Sequence, residues 1–315
     1  MLVEPKVSIL IPCFNQENVI TDTVLSALNQ TYENIEVVVS DDASTDATPR
    51  LLKELQNQYH PKLKIFLYDS NIGVTRNHTR GLIECTGELV AFLDGDDLFL
   101  PEKIEKQVAF MKERQDCTIC YHNVDVFDSV TGSSMYLWSD RIGTRQGGIK
   151  DLVRFGNFLP AVSVMVRAKD LPADGYDERI KVYSDWFLWL CTLYNGKGKI
   201  CYIDEVLAKY RRHADNLTNV SALKFIDQNR VLDIVSVHWP EFRFEVRMRR
   251  SEILFMQAMN SLFKKQYQAA VKNFILAIKL GFPIFPWLRL IYREVVFFFK
   301  SGFRSDYIFK SITST

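Results

Sequence analysis

The stretch Gly87–Lys103, GELVAFLDGDDLFLPEK, decides how the rest of the chain is read. Leu89 to Leu93 is a short apolar run of the kind that forms a buried strand, and it leads straight into Asp94, Asp96 and Asp97. A helix is expected to open at Pro101, with Glu102 in its first turn. Carboxylates at the carboxyl end of an interior strand lie where open α/β sheets bind ligands. Asp94 and Asp96 flank a single glycine, so two carboxylates can converge while the small residue admits phosphate oxygens. Their repulsion is costly unless a cation sits between them, and hard oxygen donors suit Mg²⁺ or Mn²⁺. The stretch is either a metal–diphosphate site or a solvated turn, for which Asp and Gly are ordinary residues.

Upstream, Lys6 to Ile11 (KVSILI) reads as a buried strand that ends at Pro12. The loop PCFNQE follows, then a helix from about Asn18 to Gln30. A second strand, Ile35 to Val39, ends in SDDASTD. A helix from Thr45 to Tyr59 precedes the third strand, Leu63 to Leu67, and DSNIGVTRNHTRGL passes from loop into helix. This alternation predicts parallel βαβ units in a doubly wound sheet. Polar loops after the first, second and fourth strands would then line one rim. Ser44 or Asp46 is a plausible N-cap. Asp41 and Asp42 are candidates to accept hydrogen bonds from a nucleobase imide or a ribose. Asn71 and Gly73 form a turn, and Arg76 could reach a phosphate at the rim. Arg80 reads as a surface arginine.

Downstream the pattern changes. TICYHNVDVFD, a Val-Thr-Gly-Ser turn and SMYLWSD predict antiparallel strands between Cys117 and Leu137. A short helix is expected over Gly147–Phe155 and a strand over Ala161–Val166. Asp185 begins an aromatic helix. A carboxylate there is often only a cap, but Trp186 and Trp189 lie beside it, and flat aromatic faces near a carboxylate suit a sugar ring. The strand Lys199–Tyr210 ends in RRHADN, where His213 could be a metal ligand, a phosphate contact or a surface histidine.

VSILIPCFNQE, VVVSDDASTDAT, NIGVTRNHTRG, LVAFLDGDD, YSDWFLWL and YRRHADN occur in this order over roughly residues 5 to 217. Together they resemble the family 2 glycosyltransferases, which have the GT-A fold. The resemblance implies an inverting transfer from a nucleotide diphosphate sugar, UDP-linked by family habit, assisted by Mn²⁺ or Mg²⁺. It implies donor contacts from the segment Pro12–Asn15, including Phe14, and from Asp41 or Asp42 to uracil and ribose. Arg76 falls near the diphosphate, Asp94 on the ribose and metal side, and Asp96 at the direct metal ligand. His213 matches a position that closes over the diphosphate in some members, and from its place in the chain it is a candidate third metal ligand beside Asp96. Asp185 matches the catalytic base. Two departures stand out: Ala43 replaces the usual Gly, and Ser184 replaces the Glu that commonly precedes the base. The acceptor implied is a glycan or lipid-linked glycan, in surface polysaccharide synthesis.

The 315 residues, 47% apolar and 24% charged, suit a globular protein with a substantial core and an appendage. A net charge of +1 gives no reason to expect nucleic acid as a partner. Six scattered cysteines read as reduced thiols of a cytoplasmic protein, and neither a signal peptide nor a membrane-spanning stretch is expected. The predicted division is 1–217 for a catalytic domain and 218–315 for a helical extension, where FKKQYQAAVKNFILAIKLG resembles one tetratricopeptide hairpin. From Lys279 to Lys310 six basic residues face two acidic ones amid Phe, Trp and Tyr, which suits either peripheral contact with a membrane or a homodimer through these helices. The alternatives are a sugar nucleotidyltransferase, whose Gly-rich loop is missing from PCFNQE, and a non-catalytic nucleotide-sugar-binding protein, which would have no use for Asp185.

Overall fold

The computed structural model describes residues 4–213, 216 and 221–281. Tertiary contacts divide the chain into two units: residues up to 149 together with 157–213, and residues 150–156 together with those from 214 onward. The helix Ile149–Phe155 (α6) therefore falls mostly in the second unit, although the sequence places it within the 1–217 span.

The first unit opens with β1 (Val7–Cys13), α1 (Ile20–Leu28), β2 (Ile35–Asp41), α2 (Thr48–Tyr59), β3 (Leu63–Leu67), α3 (Val74–Ile83) and β4 (Leu89–Phe92). These four strands are parallel, in the order β3-β2-β1-β4. Every residue of β1, β2 and β4 is buried, which is why they read as unbroken Val/Ile/Leu runs and not as an alternation. Ile9, Ile11, Val37 and Val39 face Val24 and Leu52 in one core. Each such side chain contributes about 1.5–3 kcal/mol by leaving water. The chain moves outward from β1 to β2 and β3, then returns to place β4 on the other side of β1. That reversal is the switch point where open α/β sheets hold ligands.

The sheet continues past β4 through β8 (Met165–Arg167), β6 (Cys117–Asp128), β9 (Lys199–Arg212) and β5 (Leu98–Phe99). Here β8 is antiparallel to β4 and β6, and β5 to β9, while β6 and β9 run parallel. The strand β7 (Ser134–Leu137) forms the expected antiparallel hairpin with β6. The mostly parallel sheet with a smaller antiparallel part is the architecture expected from the sequence. Between these strands lie α4 (Lys103–Glu113), α5 (Trp138–Ile142) and α7 (Ser184–Gly196).

Two local expectations are corrected. Helix α4 starts at Lys103, and Pro101–Glu102 form a turn after the two-residue strand β5. The segment 161–166 is a 3₁₀ turn over Ala161–Ser163 followed by β8. Both the backbone N–H and the hydroxyl of Ser163 donate to Pro160 O, which closes the turn against an extended path.

The second unit is helical: α6, α8 (Ser221–His238), α9 (Arg243–Phe263) and α10 (Tyr267–Lys279). Arg154 of α6 pairs with Glu252 of α9 at 2.7 Å. In the α9–α10 hairpin, Phe255 meets Phe274 at 5.6 Å, and Ser251 Oγ donates to the carbonyl of the fully buried Ala277. Among the described residues no helix is long and apolar enough to cross a membrane. The aromatic basic segment from Phe282 onward lies outside the described residues.

Candidate active site

The loops after β1 and β2 are laced together. Ser44 Oγ accepts from Asn15 N, and Asn15 Oδ1 accepts from Thr45 N. Asp46 accepts from Glu17 N and Thr48 N, one residue before the N-cap of α2, which is Ala47 and not Ser44 or Asp46. Pro12 is buried in β1, while Phe14 and Asn15 stand exposed at the rim. Asp41 accepts from Ser44 N and Ser44 Oγ. Asp42 accepts from Ile72 N and Gly73 N at 3.0 and 2.9 Å, which pins the turn that opens α3. Both carboxylates are buried and serve the loops before they meet any ligand. Ala43 sits at φ 61°, the left-handed region, which gives the physical reason for the glycine common in the family at this position.

After β4 the four-residue DGDD turn separates its carboxylates by role. Asp94 is partly exposed, and His78 Nε2 lies 3.5 Å from its Oδ1. The ring is oriented because Nδ1 sits 2.7 Å from Val74 O, a carbonyl that can only accept. Asp96 is mostly enclosed, and its Oδ2 bonds His213 Nε2 at 2.7 Å. Asp97 is fully buried, accepts from Arg211 N, and is pushed well up from the usual carboxylate range by burial and then by Asp96 and Asp94. A Cβ at Gly95 would meet the Gln16 side chain and Cys13, so its smallness serves close packing of these loops.

The chemistry of the donor set tests whether a divalent ion fits. No group of three or more His, Cys, Asp or Glu side chains converges among the described residues. What converges is Asp96 with His213, and Asp94 two residues away. A hard ion bound by one or two carboxylates and completed by substrate phosphates and water fits such a set; an all-protein cage does not.

Asp185 stands at the start of α7, only partly exposed, with both oxygens held. Oδ2 accepts from Asn157 Nδ2 at 2.8 Å and Oδ1 from Trp186 N at 2.7 Å. Burial, with a smaller push from Asp94, lifts its pKa to about 6 against the lowering by these two hydrogen bonds. Asn157 cannot turn its amide over freely, because its Oδ1 accepts from Leu159 N. Arg76 lies on exposed α3 surface and pairs with Glu178, in the segment that leads to α7. That segment is fastened to α3 through Thr75 Oγ1 to Ile180 O, Tyr176 N to Thr79 Oγ1, and the His78–Tyr176 ring contact at 5.0 Å.

Trp186 and Trp189 do not form an acceptor platform. Both are fully buried; Trp189 packs edge-on against Phe92 of β4 at 4.7 Å, and Trp186 lies near Tyr183. They belong to the stripe Trp186, Trp189, Leu190 and Leu193, whose i, i+3, i+4, i+7 spacing is that of a core-facing helix face. Three contributors were missed from the sequence: Asn157, His78 and Arg211. Asn157 has no signal in its neighbours beyond a glycine after a helix. His78 and Arg211 stood inside motifs already singled out.

Residues 8–160 match the family model described as glycosyl transferase family 2. An uncharacterized protein of Mycobacterium tuberculosis is 32% identical over 218 residues, which are 67% of this chain and 60% of that protein. The chain thus matches somewhat under two thirds of that relative's length. The fold is shared with the first 349 residues of Staphylococcus aureus TarS (TM-score 0.63, 17% identity, 98% of this chain and 90% of that one), a protein also solved with UDP and with UDP-GlcNAc. It is shared too with the mannosyltransferase PcManGT from Pyrobaculum calidifontis, solved with GDP-Man and Mn²⁺ (TM-score 0.62, 14% identity, 99% and 86%).

Proposed function

Because the chain belongs to glycosyl transferase family 2, we propose that it moves a sugar from a nucleotide diphosphate donor, UDP-linked first among them, to a hydroxyl of a glycan or lipid-linked glycan. The transfer is a single displacement with inversion, in surface polysaccharide synthesis on the cytoplasmic side of a membrane. The observation that carries this reading is Asp185: a partly exposed carboxylate with a pKa raised to about 6, fixed in place by Asn157 and Trp186 N, and electrostatically linked to Asp94 on the donor rim.

In this reading the nucleotide lies over the ends of β1, β2 and β4, with Pro12, Phe14 and Asn15 along one side. Asp42 and Asp41 hold the loops that shape the base and ribose pocket, and Asp94 meets the ribose. Arg76 exchanges Glu178 for a diphosphate oxygen. Asp96, with His213, would hold Mn²⁺ or Mg²⁺, which when bound supplies positive charge to the departing diphosphate. Asp185 accepts the proton of the acceptor hydroxyl as that oxygen attacks the anomeric carbon. A pKa near 6 leaves it ionised at neutral pH yet basic enough for the task.

The test is release of nucleoside diphosphate from a panel of nucleotide sugars, with Mn²⁺, with Mg²⁺ and with chelator. Turnover of one donor that is lost with chelator and in Asp96→Ala is expected. A donor affinity in Asp96→Ala that still responds to Mn²⁺ as the wild type does would contradict the metal assignment.

A further inference from the structure

We propose that the exposed face of α10 rests on an anionic lipid surface. Tyr267, Val271, Phe274, Ile275 and Ile278 follow the spacing i, i+4, i+7, i+8, i+11, which gathers them within an arc of roughly 100°. All five are 43–62% exposed, whereas Ala270 and Ala277, on another side of the helix, are buried. Among the described residues the stripe stays largely open along the helix, although the Phe274 ring reaches Phe255. Lys272 and Lys279 share with Tyr267, Val271 and Ile275 the rim of one shallow surface concavity. From Lys264 to Gly281 there are four lysines (Lys264, Lys265, Lys272 and Lys279) and no acidic residue.

Charge selects among the possible occupants. A two-fold contact with a second copy would set this lysine edge against its own like, with no acid to offset it. Residues 282–315 of the same chain carry Arg289, Arg293, Lys300, Arg304 and Lys310 against Glu294 and Asp306, a net of +3, so they do not complement it either. An anionic bilayer offers both complements at once: apolar depth for the stripe and negative headgroups for the lysines. The proposal deepens the membrane-side location given above but does not depend on the transfer chemistry, and its test reads no turnover.

The full chain is sedimented with phosphatidylcholine vesicles, with and without phosphatidylglycerol. Binding is expected only where phosphatidylglycerol is present. Lys272→Gln with Lys279→Gln should lower the partition coefficient about 25-fold, near fivefold per lysine. Val271→Glu with Ile275→Glu should abolish binding. These are exposed side chains, and an unchanged circular dichroism spectrum checks the fold. The proposal is overturned if the wild type fails to bind phosphatidylglycerol vesicles, if it binds both vesicles equally, or if either double variant binds as the wild type does. A dimer that dissociates in Val271→Glu with Ile275→Glu would assign the stripe to a second copy and overturn it equally.

Discussion

Two sets of carboxylates share the rim of one sheet and are used differently. At the end of β2, Asp41 and Asp42 are buried and accept from loop donors: Ser44 N and Ser44 Oγ on one, Ile72 N and Gly73 N on the other. Across the rim, Asp94 and Asp185 are partly exposed. Asp185 also accepts two hydrogen bonds, but its partial exposure leaves acceptor capacity open to a substrate proton. The first pair fastens the loops, and the second stays open at the rim. Position at a strand end is therefore not sufficient to identify a chemical group; whether its oxygens stay open at the rim is the better guide.

That contrast can be broken first on the structural side. Asp42→Ala leaves two part-buried N–H groups without their carboxylate partner and should cost about 3 kcal/mol of stability, since hydrogen bonds to charged groups contribute about 1.5–3 kcal/mol each. Urea unfolding checks it; a midpoint unchanged from wild type would remove the loop-building role. Asn157→Ala should act on chemistry and not on donor affinity. Losing the amide that favours the ionised form moves the Asp185 pKa above about 6, so the acid limb of kcat should shift to higher pH while donor KM stays put. A lower kcat with no shift of that limb would mean that Asn157 serves packing alone. The smallest effect concerns Ala43. Relieving its left-handed backbone in Ala43→Gly should gain about 0.5 kcal/mol, because the strain relieved (roughly 1–2 kcal/mol) exceeds the added chain entropy of glycine. A lower melting temperature would show that the strain is not felt.

Most of the sheet was legible in the sequence because its strands are buried on both faces. Ile9–Ile11 and Val37–Val39 announce themselves as apolar runs, and the helices between them impose parallel order. The partnership of β6 with β9 was not legible, since it joins segments some 80 residues apart in irregular register. In the candidate site, Asp94, Asp96 and Asp185 stand at ends of elements, where the pattern placed them. Trp186 and Trp189 were misassigned for two reasons: Trp186 lies about 100° round the helix from Asp185, and Trp189, on the same side but one turn further in, is buried while Asp185 at the helix end stays at the rim. Asn157 could not be named at all, because its meaning comes from a contact 28 residues away.

The most direct measurement is kcat for Asp185→Asn against wild type across pH, with donor affinity measured on the same preparations. Wild-type kcat should fall about tenfold per pH unit below a limb near 6, the direction required of a base that works ionised. The variant should lose about 10²–10⁴ in kcat, show no such limb and bind donor as the wild type does. Transfer within a few-fold of wild type, with the limb still present, would contradict Asp185 as the base.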